Sequence, residues 1–122
     1  MKPIIKHAGE VEERSIAAGT AAKTRVLLGP DDGMPNFAMR KFSMGEGGGM
    51  PLHTNTVEHE QYVLTGRARI RIDDADHEVG PEDVLYIPAG VPHSYTVLEG
   101  PFEFLCMVPN LEDKLEFVDP SC

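Results

Sequence analysis

Three histidines, His53, His59 and His93, sit where metal chemistry would use them. Neutral imidazole is the commonest side-chain metal ligand. Side chains alternate across a strand, so residues two or four apart share a face. His53, Asn55 and His59 therefore point the same way if residues 53–59 stay extended. That would put two imidazoles and an amide oxygen on one face. His93 opens a later run just after a proline-bounded turn, and it approaches the other two if the sheet closes. Spacing alone also allows each to be an ordinary surface or core histidine. The remaining two, His7 and His77, fall in an N-terminal arm and an acidic turn and read as surface residues.

The elements that must hold these groups are strands. The 122-residue chain is punctuated by 12 Gly and 10 Pro, with short runs rich in Val, Ile, Phe and Tyr between them. Alternation and β-branched content predict strands over 24–28, 36–43, 52–55, 59–65, 68–73, 77–79, 84–87, 93–98 and 101–108. Tight turns are expected at Thr65-Gly66-Arg67, Asp73-Asp74-Ala75-Asp76, Ile87-Pro88-Ala89-Gly90 and Leu98-Glu99-Gly100. Gly47-Gly48-Gly49 lacks the Lys-Ser/Thr of a phosphate loop and reads as a flexible turn feeding the His53 strand. A helical period shows only over 11–22, with Gly19 inside it, enough for a turn or two. Many short strands joined by tight turns make an all-β, antiparallel sandwich or barrel. The division expected is an arm over 1–22, a barrel over 23–110 and a tail over 111–122.

Two stretches resemble the paired motifs of the cupin superfamily. The first motif reads G-x5-H-x-H-x3,4-E-x6-G, and Gly47 is followed after five residues by His53-Thr54-Asn55-Thr56-Val57-Glu58-His59, then after six more by Gly66. The second reads G-x5-P-x4-H-x3-N, and Pro88-Ala89-Gly90-Val91-Pro92-His93 matches its centre. The resemblance spans roughly residues 36–108. It departs from the family where Asn55 replaces the second His, His59 the usual Glu, Glu82 the second motif's Gly and Val97 its final Asn. The chain looks most like the small single-domain cupins with four histidines, one of them changed to Asn. The resemblance implies a double-stranded β-helix, or jelly-roll barrel, and a mononuclear site for one divalent transition metal (Mn, Fe, Zn, Ni or Cu). His53, His59 and His93 would be its ligands. Asn55 would coordinate weakly, hold a water, or point away, because an amide oxygen is a poorer ligand than imidazole. Small cupins also tend to form homodimers, to which the first 20 or so residues would lend a strand.

Strand parity suggests the surroundings. Gln61 and Val63 share the face of His59, and Tyr95 and Val97 that of His93; on the last strand Phe104 and Cys106 share one face, taken as the inward one, and Leu105 and Met107 the other. On 36–43 the inward set is either Phe37 and Met39 or Arg40 and Phe42. An inward Arg40 would want an anionic partner or substrate. Tyr95, Cys106 and Arg40 are thus the candidate cavity-lining residues around the chemistry. Met34, Met39, Met44, Met50 and Met107 read as gap-filling core.

Bulk properties narrow the partners. A net charge of −9, spread along the chain, disfavours nucleic acid and anionic membrane. No apolar run approaches the roughly 20 residues of a membrane helix. The N-terminus lacks a secretory core, so a cytoplasmic protein is expected. Cys106 and Cys122 read as free thiols. The leading expectation is an oxygenase-like or dioxygenase-like enzyme acting on a small organic molecule. A metal-dependent isomerase, lyase or decarboxylase, or a non-catalytic ligand-sensing cupin, stands beside it.

Overall fold

Period-two alternation produces strands, but fewer and longer ones than a tight-turn reading predicts. The computed structural model describes residues 2–118. Its strands are β1 (Arg14–Ser15), β2 (Thr20–Leu28), β3 (Phe37–Asn55), β4 (His59–Ile72), β5 (Ala75–Val79), β6 (Val84–Ile87), β7 (His93–Pro109) and β8 (Leu115–Phe117). Every pairing is antiparallel, in the order β1-β2-β3-β7-β4-β5, with β6 beside β4 and β8 beside β3. The architecture is an all-β antiparallel barrel, as the resemblance implies. Among the described residues the only helical pieces are two short 3-10 turns, Ala8–Glu10 and Pro30–Asp32.

Three expected turns are bends inside continuous strands. β3 runs through Gly47-Gly48-Gly49, β4 through Thr65-Gly66-Arg67, and β7 through Leu98-Glu99-Gly100. Each bend carries a register shift or irregular pairing, the signature of a bulge that turns a strand around a barrel edge. Gly66 is required at its bend. Its φ is +76°, and an added Cβ would collide with the Pro101 carbonyl. The bulges also move the inward-facing set from one parity to the other. On β4 the buried side chains are His59, Gln61 and Val63, then Ala68 and Ile70. On β7 they are His93, Tyr95 and Val97, then Phe102, Phe104 and Cys106.

The ends of the chain are also built in. The helical period over 11–22 gives no α-helix. Instead β1 pairs with β2 (Arg14↔Thr24), and β2 begins at Thr20. At the other end β8 lies along β3, with His53↔Phe117 and Asn55↔Leu115. The core between the layers centres on Val63, Ile70, Ile87, Phe102 and Phe104. Burying each of these large side chains contributes about 1.5–3 kcal/mol. Cys106 is a buried free thiol, and Cys122 lies outside the described residues. No helix among the described residues is long and apolar enough to cross a membrane.

Candidate metal centre

His53 on β3 and His93, the first residue of β7, are direct cross-strand partners. Their ring centroids are 4.2 Å apart. Each ring is fixed by its own backbone. His53 Nδ1 lies 2.7 Å from the Pro51 carbonyl and His93 Nδ1 2.9 Å from the Val91 carbonyl. A carbonyl only accepts, so in the neutral ring Nδ1 carries the hydrogen and Nε2 the lone pair.

His59 reaches this pair by another route than the sequence suggested. Residues 56–58 leave the extended conformation, so 53–59 is not one strand face. His59 instead opens β4, whose first residues pair with the far end of β7 (Glu60↔Met107). It enters from across the interior, edge-on to His93 at 5.7 Å between centroids. Barrel closure, and not the shared strand face the spacing predicted, brings the three imidazoles to one cavity.

Asn55, at the end of β3, is buried with them. Its amide nitrogen donates to Asp113 Oδ2 at 3.1 Å, which leaves Oδ1 buried without a partner. Gln61 stands alike on β4. Its Nε2 donates to Tyr95 Oη at 2.7 Å, while Oε1 has no partner.

These residues line one cavity of about 250 Å3. Seven buried side-chain N and O atoms lack a partner among the described residues: Thr24 Oγ1, Arg40 Nε, Asn55 Oδ1, both His59 nitrogens, Gln61 Oε1 and His93 Nε2. All belong to residues lining that cavity. Buried polar groups are paired in the great majority of cases, so such a concentration is what the lining of a site for a ligand, an ion or ordered water leaves. Among the described residues no group of three or more His, Cys, Asp or Glu side chains is arranged to hold a metal ion by itself. What the cavity offers is donor chemistry: lone pairs from three imidazoles and two amide oxygens, a set suited to a borderline transition ion.

Electrostatics favour the metal-ready form. Burial, with the nearby Arg40 charge and the neighbouring imidazoles, pushes His59 down to about 3. Burial also brings His93 down to about 4, partly offset by its Val91 bond. Both are neutral near pH 7, as a ligand must be.

The wall beside the imidazoles is flat and aromatic. Phe42 stacks on Phe104 at 5.2 Å, and Tyr95 stacks on the same ring at 5.5 Å. Of the two inward sets open on the first part of β3, Arg40 and Phe42 line the cavity, and Phe37 is exposed. Arg40 Nη2 lies 3.3 Å from Cys106 Sγ, and its guanidinium sits 4.8 Å from the Phe42 ring centre. Among the described residues no carboxylate pairs with it. Arg40, Cys106 and Gln61 form one cross-strand row over β3, β7 and β4. Burial raises both the Tyr95 phenol and the Cys106 thiol, so each stays protonated at neutral pH. Neither is then an activated nucleophile.

Asp113 is a site residue that the sequence did not signal. It lies in the segment read as a tail, with no motif and no alternation. Gln61 was legible through its parity with His59, but not as an oxygen donor.

A family model for the cupin domain matches residues 40–108, more than half of the chain. The chain belongs to the cupin family. Solved structures similar to this cupin include the polyketide cyclase RemF from Streptomyces resistomycificus, at 28% identity and a TM-score of 0.83. That match covers 98% of this chain and 88% of that one. A cupin 2 domain-containing protein from Halorhodospira halophila is also 28% identical, with a TM-score of 0.75, covering 83% of this chain and 72% of that one. An oxalate decarboxylase variant from Bacillus subtilis, at 22% identity and a TM-score of 0.73, shares the fold. There the match covers 89% of this chain but 31% of the other. No curated protein sequence matches the chain.

Proposed function

We propose that this cupin is a metal-dependent enzyme acting on a small, flat, oxygen-rich organic acid. The observation that carries the reading is the set of buried, unpartnered lone pairs from imidazoles and amides on one cavity. His53, His59 and His93 would hold a divalent transition ion, with Asn55 or Gln61 as a further, weaker oxygen donor. Bound there, such an ion supplies Lewis acidity toward a substrate oxygen, or one-electron chemistry with dioxygen.

The chain's own residues define the substrate. A cavity of about 250 Å3 is below the range of drug-sized pockets and suits a small molecule. The Phe42–Phe104–Tyr95 stack would hold a planar one. Tyr95 Oη accepts from Gln61, so its own hydrogen is free to donate to a substrate oxygen. Arg40, lacking a carboxylate partner among the described residues, would bind an anionic group. Among the described residues, the one carboxylate lining the cavity, Asp113, is engaged with Asn55 and Thr56. With no free carboxylate base and no activated nucleophile among the described residues, a bound ion would add polarising power to that of Arg40 and Tyr95.

Such a site suits a ring-closing condensation of an acid carrying several β-oxo groups. There the enol carbon of one oxo unit loses its proton and bonds to a second carbonyl carbon, whose oxygen leaves as water, and no oxidant is consumed. The likeness to a polyketide cyclase along nearly the full chain supports this choice. An oxygenase-like reaction is the second reading, supported by a three-imidazole set that leaves coordination positions open.

The test is metal analysis of protein purified without a nickel column, beside His59→Ala, followed by turnover of β-oxo acids with and without oxygen. Metal in the wild type and not in the variant, with anaerobic turnover, is the expected result. Turnover only with oxygen would replace the cyclase reading with the oxygenase one. Metal and acid binding without turnover would make the protein a binding cupin. A wild type carrying no more metal than the variant would overturn the proposal.

A further inference from the structure

The segment 111–118 does more than end the barrel. Asp113 Oδ2 accepts from Asn55 Nδ2 at 3.1 Å, and its other oxygen accepts from the Thr56 amide at 3.0 Å. Thr56 Oγ1 donates to the Glu112 carbonyl at 3.0 Å and accepts from the Lys114 amide at 2.8 Å. Beyond this clasp β8 is zipped to β3 at Asn55 and His53, and the Val118 amide donates to the Leu52 carbonyl at 3.0 Å. The carboxylate is thus held from both sides, and it lines the same cavity as Asn55.

An amide is nearly the same shape with its oxygen and nitrogen exchanged. The exchange matters greatly to a cation, because the oxygen offers lone pairs and the nitrogen offers hydrogens. A carboxylate only accepts, so the amide end facing Asp113 must be the NH2. The oxygen is then left to face the cavity, where Oδ1 is buried without a partner.

We infer that Asp113 is a positioning residue, which fixes the Asn55 amide with its oxygen toward the metal and makes the segment 111–118 part of the metal centre. The inference rests on the metal reading for its consequence, but the amide lock exists without the metal. It also gives Asn55 a defined role, since a neutral donor of low affinity gains most from being held in one orientation.

The test uses the full chain. Zn(II) and Mn(II) affinities are measured by chelator competition for the wild type, Asp113→Ala, Asn55→Ala and the double variant. The Asn55 side-chain amide protons are followed by NMR in metal-free protein. Asp113→Ala should weaken metal binding roughly 10–100-fold, as removal of an outer partner does. The double variant should be no weaker than Asn55→Ala alone. The Asn55 amide resonances should move upfield in metal-free Asp113→Ala. Thr56→Val, which removes the hydroxyl's bonds to Glu112, Lys114 and Asp113 Oδ1 but leaves the Asn55–Asp113 Oδ2 bond and the residue-56 amide bond to Asp113, should keep wild-type affinity. Additive losses, a loss in Thr56→Val as large as in Asp113→Ala, or unmoved Asn55 resonances would each overturn the inference. If neither the wild type nor His59→Ala binds metal, the functional reading fails, while the NMR arm still decides whether Asp113 sets the amide.

Discussion

His53 and His93 are each oriented by a carbonyl two residues earlier, Pro51 and Val91. Orientation of this kind removes a rotational freedom that a metal ion would otherwise have to freeze. Burial acts on protonation in turn, and its sign can be worked through. His59 and His93 titrate at about 3 and about 4 in the fold, against about 6.5 in an unfolded chain. Below about pH 6.5 the unfolded chain therefore binds protons that the native one refuses, and stability falls with pH. Chelator-treated protein should lose urea-unfolding stability progressively from about pH 6.5 toward pH 4, and a flat profile there would contradict the burial of these rings. Arg40 makes a second prediction at this scale. A hydrogen-bonded charge contributes about 1.5–3 kcal/mol, so Arg40→Met should weaken binding of a planar carboxylate such as salicylate by roughly tenfold or more. The neutral salicylamide should lose little. Equal losses in calorimetric titration would mean that Arg40 serves packing against Phe42 and Cys106 instead.

The strands explain why some of this was legible and some was not. Alternation located the strand regions and assigned Tyr95, Phe104 and Cys106 to the inside, where they are buried. It failed at Gly49, Gly66 and Gly100, because a glycine followed by a change of parity looks the same for a hairpin turn and for a bulge within a strand. Only long-range pairing, such as Arg67↔Glu99 and Thr65↔Glu103 around Gly66, distinguishes the two. The same blindness hid how His59 reaches the site, and hid Asp113, whose role exists only because β8 docks on β3. The bulge makes its own prediction. Gly66→Ala places a methyl against the Pro101 carbonyl at a φ of +76°. Overpacking of about 1–3 kcal/mol adds there to a left-handed backbone cost of about 1–2 kcal/mol. Denaturant unfolding should show a loss of about 2–5 kcal/mol. A loss below about 0.5 kcal/mol would mean that the strand is not bent there as described.

At the scale of the molecule, the candidate ligands come from both ends of the barrel's connectivity. His53 and Asn55 close β3, His59 opens β4, His93 opens β7, and the segment around Asp113 follows β7. An ion held by them would tie together strands that are distant in sequence, and none of the ties would persist in the unfolded chain. Binding to the native state alone stabilises by RT ln(1 + [L]/Kd), about 2.7 kcal/mol at a hundredfold excess over Kd. For a chain of this size that corresponds to a rise in Tm of roughly 10 °C. Calorimetric scans should show Tm climbing with the logarithm of free Zn(II) or Mn(II) concentration in the wild type. His59→Ala should show little of that slope, and Gly66→Ala should keep it from a lower starting Tm, because the bulge supports the barrel and touches none of the ligands. If His59→Ala climbed as steeply as the wild type, the ion would be stabilising other acidic groups of this chain of net charge −9, and not the imidazole cluster within.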